Sequence, residues 1–297
     1  MSIFSPLVLH QPASISEAVA LLAAGGRDCA PLAGGTWIMR APIRHEAPPP
    51  VFVSLSKISA LSAIAISEER VELGAAVTHA ALAEAVAGYP DLQVLAEAAG
   101  RSANPAIRAT ATIGGNLCTT SFPAADLLPA LLSLDAEVDL ARSQGRERLS
   151  LEVFLERRAA LVPGWLLTRV VVPREAGRSA HARLPLRKAG DYPVAIVSVA
   201  IRLCERDRVT KACVAIGAVE TVARRWRSLE AVLLGEPVDP ERAGAAAERL
   251  LYEITGREGI EAPGWYRVHV LPSLVRRAMA GIAESLSSGN SRPCRSP

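Results

Sequence analysis

A chain of 297 residues is long enough to bury a full core and to form two domains. Half of its residues are hydrophobic, mostly Ala, Leu and Val, and 33 basic against 30 acidic side chains leave a formal charge of +3. The basic residues are scattered, which excludes a nucleic-acid-binding stripe, and no run approaches the roughly 18 apolar residues of a membrane span.

Leu7-Val8-Leu9 is followed at once by His10 and Pro12, without a basic leader or a long apolar core. No signal peptide is therefore expected, and the expected compartment is the cytoplasm. Ile15, Ala18, Val19 and Leu22 after Ser14 predict a capped helix over 14–22, ended by Gly25-Gly26. A buried strand at 29–33 delivers a first glycine pair, and Pro48-Pro49-Pro50 marks a loop before a strand at 51–55. Residues 63–66 and 71–75 read as a hairpin around 67–70. Helices follow over about 78–86 and 91–99, then a second glycine pair, then a helix over about 124–134. Strands at 136–140 and 166–172 close this part of the chain.

From Pro173 to Ala182, Arg, Glu, Gly and Ser replace apolar residues and set a domain boundary. Beyond it, 194–203 and 209–219 read as a long antiparallel pair turning at 205–208. Helices over about 228–234, 240–253 and 268–286 back this pair, and 287–297 is expected to be a disordered tail. The class is α+β. The expected domains are 1–175, with subdomains of about 1–58 and 59–175, and 180–286.

Two segments carry the chemistry: Pro31-Leu32-Ala33-Gly34-Gly35-Thr36, and Ala111-Thr112-Ile113-Gly114-Gly115-Asn116 eighty positions later. Either alone reads as an ordinary turn. Together they suit a diphosphate, because glycine lets a ligand approach the backbone and adjacent N–H groups can converge on phosphate oxygens. The implied cofactor is a dinucleotide. Thr36, Thr112 and Asn116 could donate to it or cap turns. The chain lacks the G-x-G-x-x-G spacing of a Rossmann site and the Gly-Lys-Ser/Thr phosphate loop. Cys29, Cys118, Cys204, Cys213 and Cys294 show no C-x-x-C spacing and the five histidines stand apart, so neither a zinc site nor an iron–sulfur cluster is expected in this chain. No catalytic triad is found.

Five segments stand in the same order as in the FAD-binding medium subunit of the molybdenum hydroxylases, the group of xanthine dehydrogenase and aerobic carbon monoxide dehydrogenase. They are Leu32–Thr36, Val53–Ile58, Ile107–Asn116, Pro123–Asp126 and Arg187–Tyr192. Tyr266-Arg267, leading into Leu274–Ala278, is similar to that family's closing helix. The resemblance covers roughly residues 1 to 285. It implies a two-part FAD-binding domain of the vanillyl-alcohol-oxidase/PCMH type, followed by a smaller domain in which helices back an antiparallel sheet. The resemblance also implies an electron-transfer role. FAD on this chain would accept electrons from the [2Fe-2S] clusters of a small partner subunit and pass them to NAD⁺, a quinone or O₂. A large molybdopterin-binding subunit completes the complex, expected as a dimer of heterotrimers.

Residue by residue, the resemblance places the FAD pyrophosphate on Ala33, Gly34, Gly35 and Thr36 and on Thr112 through Asn116, including Gly114 and Gly115. Pro31, Leu32, Trp37, Ile38 and Ala111 flank these at the cofactor. Ala125 and Asp126 are implied contacts, although a carboxylate there could equally cap the following helix. Tyr192 matches a tyrosine that packs on the flavin, against the reading of a half-buried strand residue. Lys188 or Arg183 would supply a basic group. Leu166 and Leu167 would line the ring pocket or simply sit in a core strand, and Ala103 and Ile107 would shield the ring. The Asn116–Asp126 spacing is one position longer than the resemblance implies, which marks Phe122 as an inserted residue.

Two other readings compete. A free-standing FAD-dependent oxidase of the same cofactor-binding fold would carry its own base and often a histidine or cysteine link to flavin, and neither glycine segment contains a histidine. A flavin-free assembly module would have no use for two intact glycine segments.

Overall fold

Residues 7–161, 163–186 and 192–289 are described by a computed structural model. Lys188 and positions 290–297 of the expected tail lie outside them. Contacts divide the chain into two compact units. The first comprises the described residues of Met1–Ala85, Ser102–Phe122 and Asp135–Arg174, the second those of Val86–Arg101, Pro123–Leu134 and Glu175–Pro297.

The chain opens with β1 (Val8–His10), α1 (Ile15–Gly25), β2 (Cys29–Leu32) and β3 (Val51–Ser54). β3 lies between β1 and β2 and pairs in parallel with both. α1 begins where Ser14 Oγ accepts a hydrogen bond from Glu17 N at 3.2 Å. Its Ala18, Val19 and Leu22 share one core with Val53, Leu55, Ile58, Leu61, Ala141 and Leu166. Burying each large aliphatic side chain there is worth about 1.5–3 kcal/mol. Not foreseen was β1, whose three residues are all exposed and so show no alternation.

The expected hairpin forms as β4 (Ile64–Ile66) and β5 (Arg70–Gly74). Five short helices follow: α2 (His79–Ala85), α3 (Gln93–Arg101), α4 (Pro105–Arg108), α5 (Ile113–Cys118) and α6 (Leu127–Ser133). α2, α4 and α5 belong to the first unit, α3 and α6 to the second. The chain then adds β6 (Glu137–Arg142), β7 (Gly145–Ser150), α7 (Leu151–Arg157) and β8 (Leu166–Pro173), which complete a five-stranded antiparallel sheet in the order β4-β5-β8-β6-β7. β7 and α7 were not anticipated. β7 is a polar edge strand, and the start of α7 rests on Ser150 Oγ accepting from Val153 N at 3.3 Å.

Charged side chains of neighbouring strands bond one another across this sheet. Asp139 accepts from Arg148 Nε at 2.7 Å and from Arg169 Nε at 2.9 Å, and Glu72 pairs across strands with Arg169 and along its own strand with Arg70. Cross-strand pairs of opposite charge are the sheet's counterpart of helix ion pairs.

In the second unit, β9 (Arg178–Pro185), β10 (Pro193–Leu203), β11 (Val209–Gly217) and β12 (Arg224–Arg225) form an antiparallel sheet in the order β12-β11-β10-β9. The remaining helices are α8 (Arg227–Leu233), α9 (Pro240–Arg249), α10 (Gly264–His269) and α11 (Leu271–Gly289). Val197, Val199, Val214, Trp226, Leu274 and Met279 are central to the core that sheet and helices share. Every residue of α6 is buried within this unit. β9 occupies much of the stretch read as a polar boundary, and α11 runs to Gly289, into the stretch read as a tail.

Burial pushes the Asp139 carboxyl up, and the hydrogen bonds and charges of Arg148 and Arg169 outweigh that and hold it below its ordinary value. A carboxyl that titrates lower when folded contributes stability that is complete above about pH 4 and fades as the pH falls through the folded value. Asp139→Asn is therefore expected to lower the unfolding midpoint at pH 7 by the equivalent of about 1 kcal/mol, the scale for partly exposed pairs. The gap to wild type should close on acidification. Thermal denaturation followed by circular dichroism checks this, and a gap independent of pH would refute the ion-pair account.

Candidate functional site

The first glycine segment begins where β2 ends. Parallel pairing continues one step past the strand, with Leu55 N donating to Leu32 O at 2.9 Å. The chain then turns through Gly34, Gly35 and Thr36, with Gly35 at φ 69°, the left-handed region that glycine enters without steric cost. Met39 N donates to Gly35 O and Arg40 N to Trp37 O, both at 3.0 Å, and these bonds open a 3₁₀ turn over Ile38–Arg44. Among the described residues, nothing accepts a hydrogen bond from the N–H groups of Gly34, Gly35 or Thr36. Successive donors on half-buried backbone make the kind of concavity that holds an anion.

The second glycine segment is built differently from expectation. Thr112 Oγ1 accepts from Gly115 N at 3.1 Å and caps α5, so both glycines lie inside a helix start. Ile113 N donates to Val77 O at 2.9 Å, Gly114 N to Ala75 O at 2.7 Å and Asn116 N to Thr112 O at 3.0 Å. These donors are engaged within the fold rather than laid bare. Gly114 is glycine because a Cβ there would stand 2.8 Å from Ala75 O. Gly115 is exposed, and a Cβ on it would meet only Thr112 Oγ1, at 3.1 Å.

The two segments touch backbone to backbone. A Cβ placed on Gly34 would lie 1.9 Å from Thr110 O and 3.2 Å from Ala111 Cα. Pro31 through Ile38 and Ala111 through Asn116 are thereby brought to one place in the first unit. Beside the second segment, Ala103 adopts φ 44°, a strained conformation for a residue with a Cβ. Its carbonyl accepts from Arg108 Nη1 at 2.6 Å, as that of Ser102 does at 3.1 Å. Ile107 is half-buried on α4, and its N–H donates to the Asn104 cap at 3.0 Å. Leu166 belongs to the core packed on α1, and Leu167, its neighbour on β8, is also buried.

Ala125, Asp126 and Tyr192 belong to the second unit. Ala125 is buried and Tyr192 half-buried just ahead of β10. Asp126 stands at the N-cap position of α6 with helical φ and ψ and makes no capping bond. Its buried carboxylate instead accepts from Arg183 Nε at 2.8 Å, while His181 Nε2 lies 3.7 Å away. His181 Nδ1 and Ser198 Oγ share a hydrogen bond of 2.9 Å. Arg183 is thus an ion-pair partner of Asp126.

Arg44, Arg158 and the ring contact between Trp37 and Phe122 escaped the sequence reading. The rings of Trp37 and Phe122 lie 4.7 Å apart, and the Arg44 guanidinium stands 4.2 Å from the Trp37 ring centroid. The spacing expected from the resemblance, which singled out Phe122, was the available signal. Arg158, buried just after α7, donates from Nη1 to Leu117 O at 2.6 Å, and nothing in the sequence marks it. Among the described residues, no group of three or more His, Cys, Asp or Glu side chains could hold a metal ion.

Comparison with known proteins covers nearly the whole chain. Residues 3–175 match the FAD binding domain in molybdopterin dehydrogenase, and residues 181–282 match the CO dehydrogenase flavoprotein C-terminal domain. The carbon monoxide dehydrogenase medium chain of Afipia carboxidovorans is 30% identical over 277 residues, 91% of this chain and 94% of that protein. The 6-hydroxypseudooxynicotine dehydrogenase complex subunit alpha of Paenarthrobacter nicotinovorans is 28% identical, covering 90% of this chain and 91% of that one. Among solved structures, a carbon monoxide dehydrogenase chain from Hydrogenophaga pseudoflava superposes with a TM-score of 0.86 at 27% identity, covering 95% of this chain and 99% of that one. A chain of quinoline 2-oxidoreductase from Pseudomonas putida 86 gives 0.84 at 25% identity, with coverage of 96% and 99%.

The backbone contact at Gly34 predicts a contrast between two alanine variants. Gly34→Ala drives a methyl into the Thr110 carbonyl and is expected to destabilise the apoprotein by about 1–3 kcal/mol or more. Gly115→Ala, on an exposed helical position, should leave the midpoint unchanged or slightly raised. Thermal unfolding of both apoproteins checks this, and equal midpoints would mean that the two segments do not meet.

Proposed function

This chain belongs to the family of FAD-binding flavoprotein subunits of the molybdenum-containing dehydrogenases, and on that footing we propose that it relays electrons from the [2Fe-2S] clusters of a partner subunit to an external acceptor. It is an oxidoreductase component, and its cofactor is FAD. When bound, FAD supplies the redox chemistry, so the protein contributes binding, orientation and electrostatics.

The observation that carries the reading is the run of open N–H groups at Gly34, Gly35 and Thr36, set against the second segment by the contact at Thr110. In this proposal those donors hold the diphosphate, with Pro31, Leu32, Ala33, Trp37 and Ile38 around them. Ala111, Thr112, Gly114, Gly115 and Asn116 form the facing wall and contribute its shape and its side chains. Ala103 and Ile107, with Leu166 and Leu167, are assigned to the flavin surroundings. Ala125, Asp126, Tyr192 and Lys188 are assigned to the cofactor on the resemblance alone.

The relatives named as medium chains or as subunits of complexes support partners of the same kind. We propose a large molybdopterin-binding subunit and a small [2Fe-2S] subunit, assembled as a dimer of heterotrimers in the cytoplasm. No helix among the described residues is long and apolar enough to cross a membrane. The proposed domains follow the division at 175–180.

Two measurements test this reading. Gly115→Val adds a branched side chain where only the Thr112 hydroxyl is near, so FAD retention should be lost while the far-ultraviolet dichroism of the folded chain persists. Flavin absorbance of the purified variant equal to that of wild type would show the wall to be misplaced. A gentle pull-down analysed by mass spectrometry should recover a molybdopterin-binding and an iron–sulfur subunit. Recovery of this chain alone, competent as an oxidase, would overturn the partner assignment.

A further inference from the structure

We propose that Phe122, Trp37 and Arg44 form a clamp that positions the FAD-binding turn, an inference that rests on the flavin reading above. Trp37 directly follows the open donors of Gly34–Thr36, so whatever fixes its indole fixes the far end of that turn. Two side chains do so. The Phe122 ring stands 4.7 Å from it with an interplanar angle of 39°, and the Arg44 guanidinium lies 4.2 Å from its centroid. Both separations fall within the range of favourable aromatic and cation–π contacts.

Arg44 is itself held firmly. Its Nη1 donates to Trp37 O at 3.0 Å, and its Nε and Nη2 donate to Glu46 Oε2 at 3.0 and 2.6 Å. The guanidinium therefore grips both the ring and the backbone of Trp37. Phe122 lies four positions beyond the last residue of α5, on the chain leaving the second glycine segment. The contact of Gly34 with Thr110 ties the two segments together ahead of the open donors. The ring contact ties them again behind. Between these two fixtures the turn has little freedom left, and donors ordered in advance cost less to engage than donors ordered by the ligand. Phe122, on the chain between α5 and α6, thus supplies the ring that closes the clamp.

Phe122 is a positioning residue, so its test separates cofactor hold from fold stability. FAD release from the flavin-loaded protein is followed by the recovery of free-flavin fluorescence, alongside the unfolding midpoint of each apoprotein. Phe122→Ala is expected to release FAD about tenfold faster, the scale of one lost aromatic contact with its burial. Its apoprotein midpoint should stay within about 2 °C of wild type, no more than the shift that about 1 kcal/mol produces in a chain of this size. Phe122→Tyr, which keeps the ring, should restore slow release. Arg44→Gln should accelerate release in the same direction and gives the readout if Phe122→Ala fails to fold. Unchanged release in Phe122→Ala and Arg44→Gln overturns the clamp. So does faster release that merely follows a fall in apoprotein midpoint and is not rescued by tyrosine. A wild-type chain that takes up no FAD defeats the flavin assignment instead, so the two failures are distinguishable.

Discussion

At Gly34 the peptide backbone of one segment rests on the carbonyl of Thr110 in another, with a separation that leaves no room for a Cβ. Each side is fixed before the two meet. Gly34 follows a strand held in parallel register by β3, and Thr110 and Ala111 both donate their N–H groups to Ile107 O, while Ala111 O accepts from His79 N. Neither backbone can yield easily, so the contact transmits the position of the sheet to the second glycine segment. The proposed diphosphate site depends on this geometry, because donors placed on one segment are useful only if the facing wall stands at a fixed distance.

The four glycines look alike in sequence and do different work. Gly34 and Gly114 permit close approach to carbonyls, Gly35 supplies a left-handed turn, and Gly115 leaves an open surface. The donors divide just as unevenly. The N–H groups of Ile113 through Asn116 are engaged in capping α5 and joining it to Ala75 and Val77, whereas those of Gly34 through Thr36 stay open. A symmetric cradle of two equivalent loops is thus replaced by one donating turn and one rigid wall.

Much of this was legible because the elements announce themselves locally. Ser14 and the Ile15, Ala18, Val19, Leu22 stripe specify α1, and the apolar run of Leu127–Ser133 specifies a buried helix. β9 was hidden because its buried residues include Ser179 and His181, which read as polar boundary, and Arg183, which read as a basic group for the cofactor. Their burial is made tolerable by partners far away in sequence: Ser179 Oγ donates to Asp91 O, His181 N to Glu97 and Arg183 to Asp126. β7 was hidden for the opposite reason, since an exposed charged edge carries no apolar period. The capped start of α5 looked like a loop because what makes it a helix is a set of bonds to Ala75 and Val77 that no local pattern reveals.

The charge arrangement in the first unit follows the same logic. A diphosphate brings concentrated negative charge, yet Arg44, the cation fixed beside the donating turn, is bonded to Glu46 and turned onto the Trp37 ring. The hydrogen bond from Arg44 in turn holds the Glu46 carboxyl below its usual range, so this pair stays ionised and closed on itself. What the turn itself offers an anion is its aligned peptide dipoles, and a dipole acts only at short range and in the right direction. Donors of this kind serve the proposed site only if packing holds them in shape, which is the part played by the aromatic contact and the missing Cβ.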